Sequence, residues 1–173
     1  MKKDKIYELH SKTPLEVKLQ RSKTKIDKFM YDFGVDGVFC LVNTDIQSLV
    51  LHDLLVEWGY GDIEFVFMNI NNKPLKDYIK NIIPNITILH DITLGDYKKR
   101  YDKKPILSTI DDFEVWKNNS CINYKDVPTA RPFLTLTYDE ILEIGGVKFE
   151  NDIKRILKTT KKVLQNSKRC DII

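Results

Sequence analysis

The chain has 173 residues, of which 42% are hydrophobic and 31% are charged, a composition typical of one soluble globular domain. It contains no run of about 18 apolar residues, which argues against a membrane-spanning helix, and its first residues lack the apolar stretch of a secretory signal. The formal net charge of +3 is too small to indicate nucleic-acid binding by itself. Three scattered cysteines without a Cys-x-x-Cys pair predict neither a disulfide framework nor a zinc site, so we expect a cytoplasmic protein.

The first predicted element is a helix that follows a polar lead-in over residues 1–12. Thr13 is a candidate N-cap, Pro14 suits the first helical position, and Glu16 completes a capping box. Apolar residues then recur at helical spacing until Gly34, which predicts the end of the helix.

Strands and helices then alternate as far as residue 110. The predicted strands cover residues 38–42, 63–68, 86–89 and 104–107, and the predicted helices cover 48–58, 74–82 and 93–101. Such alternation predicts an α/β domain of three layers with a mostly parallel sheet over residues 13–110. Ligands of such sheets bind beyond the carboxyl ends of the strands. The loop 43–48 is therefore the leading candidate site, with residues 68–72 as its neighbour.

The remaining residues, 111–173, are predicted to be an extension of the same domain. Residues 111–136 look irregular and contain Trp116, a candidate interface anchor. Thr137 and Glu140 form a second capping box, which starts a short helix that ends at Gly145 and Gly146. A long amphipathic helix is predicted over residues 148–166.

The basic residues of this last helix are the second candidate site. The candidate partner-binding residues are Lys154, Arg155, Lys158, Lys161 and Lys162. Such a face suits contact with an acidic protein or with nucleic acid, although the absence of interleaved aromatic residues weakens the case for single strands. The alternative is a solvated helix face that covers the sheet.

The order of elements from about Thr13 to Thr109 resembles the phosphoadenosine-phosphosulfate (PAPS) reductase family, within the adenine-nucleotide alpha-hydrolase-like superfamily. The resemblance is closest to the short forms of phages and mobile elements. It rests on the opening helix, on the first strand with its loop and helix, and on the later segments 63–68, 85–89, 97–101 and 105–108. It implies a PAPS reductase-like core with C-terminal helices and an adenine-nucleotide pocket after the first strand.

The family's phosphate loop has the motif S-G-G-K-D-S, and in this chain it aligns with Asn43-Thr44-Asp45-Ile46-Gln47-Ser48. Only Ser48 matches. Both glycines, the lysine and the carboxylate at the fifth position are replaced, so the loop lacks close backbone approach and positive charge. The vestigial pocket would consist of Asn43, Thr44, Asp45, Gln47, Ser48 and Asn69. We therefore expect no catalytic residue, no cofactor and no metal, and the family's Glu-Cys-Gly-Leu-His reductase signature is also absent.

Three functional hypotheses stay open. The leading one is a catalytically inactive PAPS reductase-like protein that binds a host protein or ribonucleoprotein, for example as a phage inhibitor of a CRISPR defence component. The alternative is a nucleotide-binding protein or enzyme of the PAPS reductase or ATP pyrophosphatase type with an altered pocket. The third is an accessory protein that forms a homo-oligomer.

Overall fold

The fold is an α/β domain built on one parallel sheet. The structure is a computed structural model that describes residues 12–43, 45–67, 73–89, 100–101, 103–109 and 127–170, without the side chains of Lys73 and 162–170. The five strands of the described sheet are β1 (Phe39–Val42), β2 (Glu64–Phe67), β3 (Thr87–Ile88), β4 (Ile106–Leu107) and β5 (Thr129–Ala130). They lie in the order β3-β2-β1-β4-β5, and every pairing is parallel. The predicted fold class is therefore confirmed.

Helices connect the strands and extend beyond the last one. The described α-helices are α1 (Leu15–Phe33), α2 (Ile46–Glu57), α3 (Lys73–Ile82), α4 (Tyr138–Ile141) and α5 (Val147–Cys170). A 3₁₀ helix over Pro132–Thr135 precedes α4, and a π turn over Leu142–Gly146 joins α4 to α5. None of the helices in the described residues is long and apolar enough to cross a membrane.

The sheet is buried on both faces, as expected for parallel strands. Alternate strand residues point to opposite sides, and they divide into two apolar clusters. The larger cluster joins Cys40, Val42, Phe65, Phe67 and Leu107 to side chains from all five described helices. The smaller cluster joins Phe39, Leu41, Val66 and Ile106 to Tyr101 and Val127. Both faces of the strands are thus removed from water, in agreement with the predicted three-layer arrangement.

The helix boundaries follow local chemistry in most places. α1 ends at Gly34, whose φ of 72° is in the left-handed region and whose N–H donates to Met30 O at 2.9 Å. The predicted capping box at the start of α4 is present: Thr137 Oγ1 accepts from Glu140 N–H, and Glu140 Oε2 accepts from Thr137 N–H. At the start of α1 the prediction is wrong by one residue, because Pro14 occupies the N-cap position.

The prediction of irregular structure for residues 111–136 is wrong at residues 129–130 and 132–135. Residues 110–126 lie outside the described residues, but Thr129–Ala130 form β5 and Pro132–Thr135 form the 3₁₀ helix. Two-residue strands give almost no sequence pattern, since alternation needs more positions to be visible. The predicted helix over 93–101 also lies mostly outside the described residues.

Candidate functional site

The strand order places the topological switch point between β1 and β4. The chain builds outward from β1 to β2 and β3, and then crosses back to β4 on the other side of β1. The residues that follow the two strands on either side of the switch point are Asn43 after β1, and Ser108 and Thr109 after β4. This is where doubly wound sheets bind their ligands, so it is the first candidate site.

At this site, Asp45 closes the N-terminus of α2. It is the N-cap residue, and its Oδ1 accepts the backbone N–H of Ser48 at 2.9 Å. Its Oδ2 lies 3.3 Å from Ser48 Oγ, which donates to it, while the same hydroxyl accepts the N–H of Asn43 at 3.0 Å. Ser48 is completely buried. The loop is therefore held by its own side chains, and a carboxylate takes the place at the helix N-terminus that suits a bound anion.

Ile46, at the position of the family's lysine, belongs to the core. It is 5% exposed and packs in the larger apolar cluster. A Cβ added to Gly146 would lie 2.9 Å from Ile46 Cγ2 and 3.3 Å from Val50 Cγ2, so the π turn passes directly over the first turn of α2. A charged side chain at position 46 would have to displace this contact or be buried beneath it at high cost.

The sequence did not single out Ser108 and Thr109 as site residues. They are 0% and 1% exposed. Ser108 N–H donates to Ala130 O at 3.1 Å, but Ser108 Oγ is a buried side-chain atom without a hydrogen-bond partner among the described residues. A signal for them was available, because they directly follow the last strand of the predicted alternation. Sequence alone could not show that this strand lies beside β1.

The predicted pocket residues are brought together only in part. Asn43, Asp45 and Ser48 form one hydrogen-bonded group, and Gln47 lies half-buried in the first turn of α2. Thr44 and Asn69 lie outside the described residues. The second predicted segment, residues 68–72, also lies outside them, and it follows β2, which flanks β1 on the side away from β4.

The predicted basic face lies on α5, which follows both strands of the switch point in the chain. Lys154 Nζ pairs with Glu150 Oε1 at 2.6 Å, and Arg155 pairs with Asp152 at 3.2 Å. Lys158 and Lys161 are exposed and have no ion pair among the described residues. Lys162 is part of the helix, but its side chain lies outside the described residues, as does Trp116. The acids of α5 thus neutralise the start of the face and leave its later part positive.

A second polar cluster lies at the opposite, amino edge of the sheet. Glu64 accepts from Tyr101 Oη at 2.7 Å, from Arg100 at 2.7 Å and from Lys104 Nζ at 3.0 Å. Burial raises the pKa of Glu64, but these hydrogen bonds and charges outweigh it and hold the pKa below its usual range. Burial and the bond to Glu64 raise the pKa of Tyr101 above the usual value for tyrosine. The cluster holds the segment before β4 against β2. Because the Glu64 carboxylate is bonded to side chains of the protein itself, we interpret the cluster as structural.

The histidines and acids offer no metal centre in the described part of the chain. No group of three or more His, Cys, Asp or Glu side chains there could hold a metal ion. His52 is buried, with its ring packed edge-on against Phe65 at 4.8 Å between centroids and its Nδ1 3.2 Å from Asp53. It is therefore a packed residue of α2.

The candidate site lies at the switch point, where doubly wound sheets bind their ligands. The resemblance to PAPS reductases stays a prediction, carried by the order of elements. No family model, curated protein or solved structure matches the chain.

Proposed function

We propose that this chain is a non-catalytic, PAPS reductase-like protein that acts by binding an acidic partner through α5. The observation that carries the proposal is the Asp45 cap. Its carboxylate accepts the N–H of Ser48 at the start of α2, where the family would bind a phosphate. A second anion about 4 Å away would be repelled by about 1–4 kcal/mol, and Ile46 supplies no compensating charge.

The charge distribution supports α5 as the binding surface. The helix contains eight of the chain's 28 basic residues and two of its 25 acidic residues, so the rest of the chain has 20 basic and 23 acidic residues. The whole excess of positive charge is thus concentrated on one helix. Such an asymmetric field steers association with a negatively charged surface.

The partner that we propose is a host protein or a ribonucleoprotein, such as a defence component. This follows from the resemblance to the short phage-type forms together with the basic helix. A ribonucleoprotein presents phosphates and acidic side chains, and either attracts the later part of α5.

The test is complex formation with purified defence ribonucleoproteins, measured by size-exclusion chromatography and by titration at two salt concentrations. The variant Lys158→Glu with Lys161→Glu reverses two exposed charges of α5. The matched control, Lys28→Glu with Lys80→Glu, makes the same charge change on α1 and α3, where both lysines are exposed. We expect the α5 variant to lose the complex and the control to keep it. A complete absence of complexes, or equal behaviour of both variants, would overturn the proposal.

A second candidate is a nucleotide-binding protein with an altered pocket, and Ser108 favours it. Its buried hydroxyl has no hydrogen-bond partner among the described residues, and an unsatisfied buried polar group of this kind calls for a partner, which a bound ligand would supply. A nucleotide at about 100 times its dissociation constant would stabilise the protein by about 2.7 kcal/mol. Thermal-shift measurements with adenine and signalling nucleotides test this, and Ser108→Ala should abolish any shift. A flat screen would exclude it.

A further inference from the structure

A groove lies between α1 and the 3₁₀ helix, and none of its lining residues belongs to the Asp45 cap or to α5. Its volume is about 420 Å³, within the range of about 300–1,000 Å³ that is usual for small-molecule sites. The lining residues are Gln20, Arg21, Ser22, Thr24, Lys25, Pro132 and Thr135.

Two long-range contacts hold the walls of the groove together. Ser22 Oγ donates to Pro132 O at 2.9 Å, and both residues are buried. One turn earlier on α1, Lys18 Nζ lies 2.6 Å from Glu140 Oε1. The groove is thus formed in the free protein, which lowers the entropic cost of binding a ligand.

The polar groups of the groove are suited to an anion. Arg21 and Lys25 are one helical turn apart, both are exposed, and neither has an ion pair among the described residues. Two acids of α1 and α4 are engaged with other residues, since Asp27 binds Lys23 and Tyr60, and Glu140 binds Lys18. None of the described residues that line the groove is a carboxylate, so its two charges are not neutralised by these residues.

We propose that this groove binds the phosphate group of a small organic phosphate. The arginine guanidinium presents a fork of N–H donors that matches phosphate oxygens, and lysine adds a second positive charge. Gln20 and Thr135 supply neutral polar groups beside them. The volume exceeds the need of a bare anion, which leaves room for an organic body against Pro132 and the aliphatic stems of the basic side chains.

The probes for this site are phenyl phosphate and inorganic phosphate, titrated into the isotope-labelled full chain and followed by amide chemical shifts. We expect saturable shifts confined to residues 20–25 and 132–135, with phenyl phosphate binding at least about threefold more tightly because its ring occupies the apolar part of the groove. Arg21→Ala with Lys25→Ala should weaken phenyl phosphate at least about tenfold. Lys28→Ala is the matched control, because Lys28 is exposed on the same helix but does not line the groove; it should change the affinity less than about twofold.

The outcomes separate the proposal from its alternatives. Non-saturable shifts, or equal affinities for the double variant and the control, would overturn it. Equal binding of the two probes would reduce the groove to a non-selective anion site, which also contradicts the proposal. The result is independent of α5 and of the Asp45 cap, so failure here leaves the proposed function untouched.

Discussion

Lys18 Nζ and Glu140 Oε1 lie 2.6 Å apart although 122 residues separate them in the chain. Lys18 is 1% exposed and Glu140 20% exposed, so the pair is largely removed from water. Glu140 also closes the capping box of α4 through Thr137. One carboxylate therefore starts a C-terminal helix and fixes it to the first helix of the domain.

We expect Glu140→Ala to lower the free energy of unfolding by about 3 kcal/mol, because the change leaves the Lys18 ammonium buried without a partner and removes the hydrogen bond from Thr137 N–H to Glu140 in the capping box. Urea unfolding measures this. Asp139→Ala, at the exposed neighbouring position, is the control and should cost no more than about 0.5 kcal/mol. Equal losses for both variants would show that the pair is not stabilising.

The same pair predicts a loss of stability in acid. Burial raises the pKa of Glu140, but the hydrogen bonds from Lys18 and Thr137 outweigh it and place the pKa below its usual range. A carboxyl group whose pKa is lower in the folded state than in the unfolded state, where it is about 4.3, stabilises the protein at pH values above about 4.3. This stabilisation is lost as the pH falls through the pKa of the folded state. The stability difference between the wild type and Glu140→Gln should therefore shrink below about pH 4. A difference that stays constant between pH 7 and pH 3 would contradict this.

Asp45 is expected to act as a helix cap and not as a ligand-binding residue. Asp45→Ala should destabilise the protein by about 1 kcal/mol, since the N–H of Ser48 loses its acceptor. Asp45→Asn keeps an acceptor oxygen and should retain most of the stability. Thermal unfolding of the three proteins provides the measurement. If Asp45→Asn is as unstable as Asp45→Ala, the cap is not the source of the effect.

Gly146 should be intolerant of a side chain. The added Cβ would lie 2.9 Å from Ile46 Cγ2 and 3.1 Å from Ile141 O, so we expect Gly146→Ala to cost about 1–3 kcal/mol through overpacking. Gly61→Ala is the control, because its Cβ would meet Val56 at an ordinary 3.5 Å. In a double-mutant cycle, Ile46→Ala should relieve part of the cost of Gly146→Ala. Strict additivity would show that the two positions do not touch.

Tyr101→Phe should cost about 1 kcal/mol at neutral pH, because Glu64 loses one of its hydrogen bonds. The pKa of Tyr101 is raised by burial and by that bond, so its contribution is complete below the unfolded pKa of about 10 and declines as the pH rises above it. The wild type should accordingly lose more stability than Tyr101→Phe above about pH 10. Tyr31→Phe is the control, since Tyr31 is 89% exposed. Parallel pH profiles for the wild type and Tyr101→Phe would contradict the prediction.

Local sequence signals were sufficient for most of the secondary structure. Gly34 ends α1 because only glycine adopts its φ of 72° without strain, and Thr137 with Glu140 starts α4 through bonds within four residues. The apolar run at β1 indicated a strand covered on both faces. These features depend on neighbouring residues alone, and so they are visible in the sequence.

The sequence by itself determined the parallel α/β alternation, the absence of glycine and lysine from the loop at residues 43–48 and the concentration of positive charge in the last helix. Only the tertiary structure decided that β4 lies beside β1, which brings Ser108 into the candidate site. It also decided that Ile46 is covered by Gly146. The physical reason is that these relations depend on which distant segments share a sheet edge or a core, and such long-range pairings leave no periodic pattern in the chain.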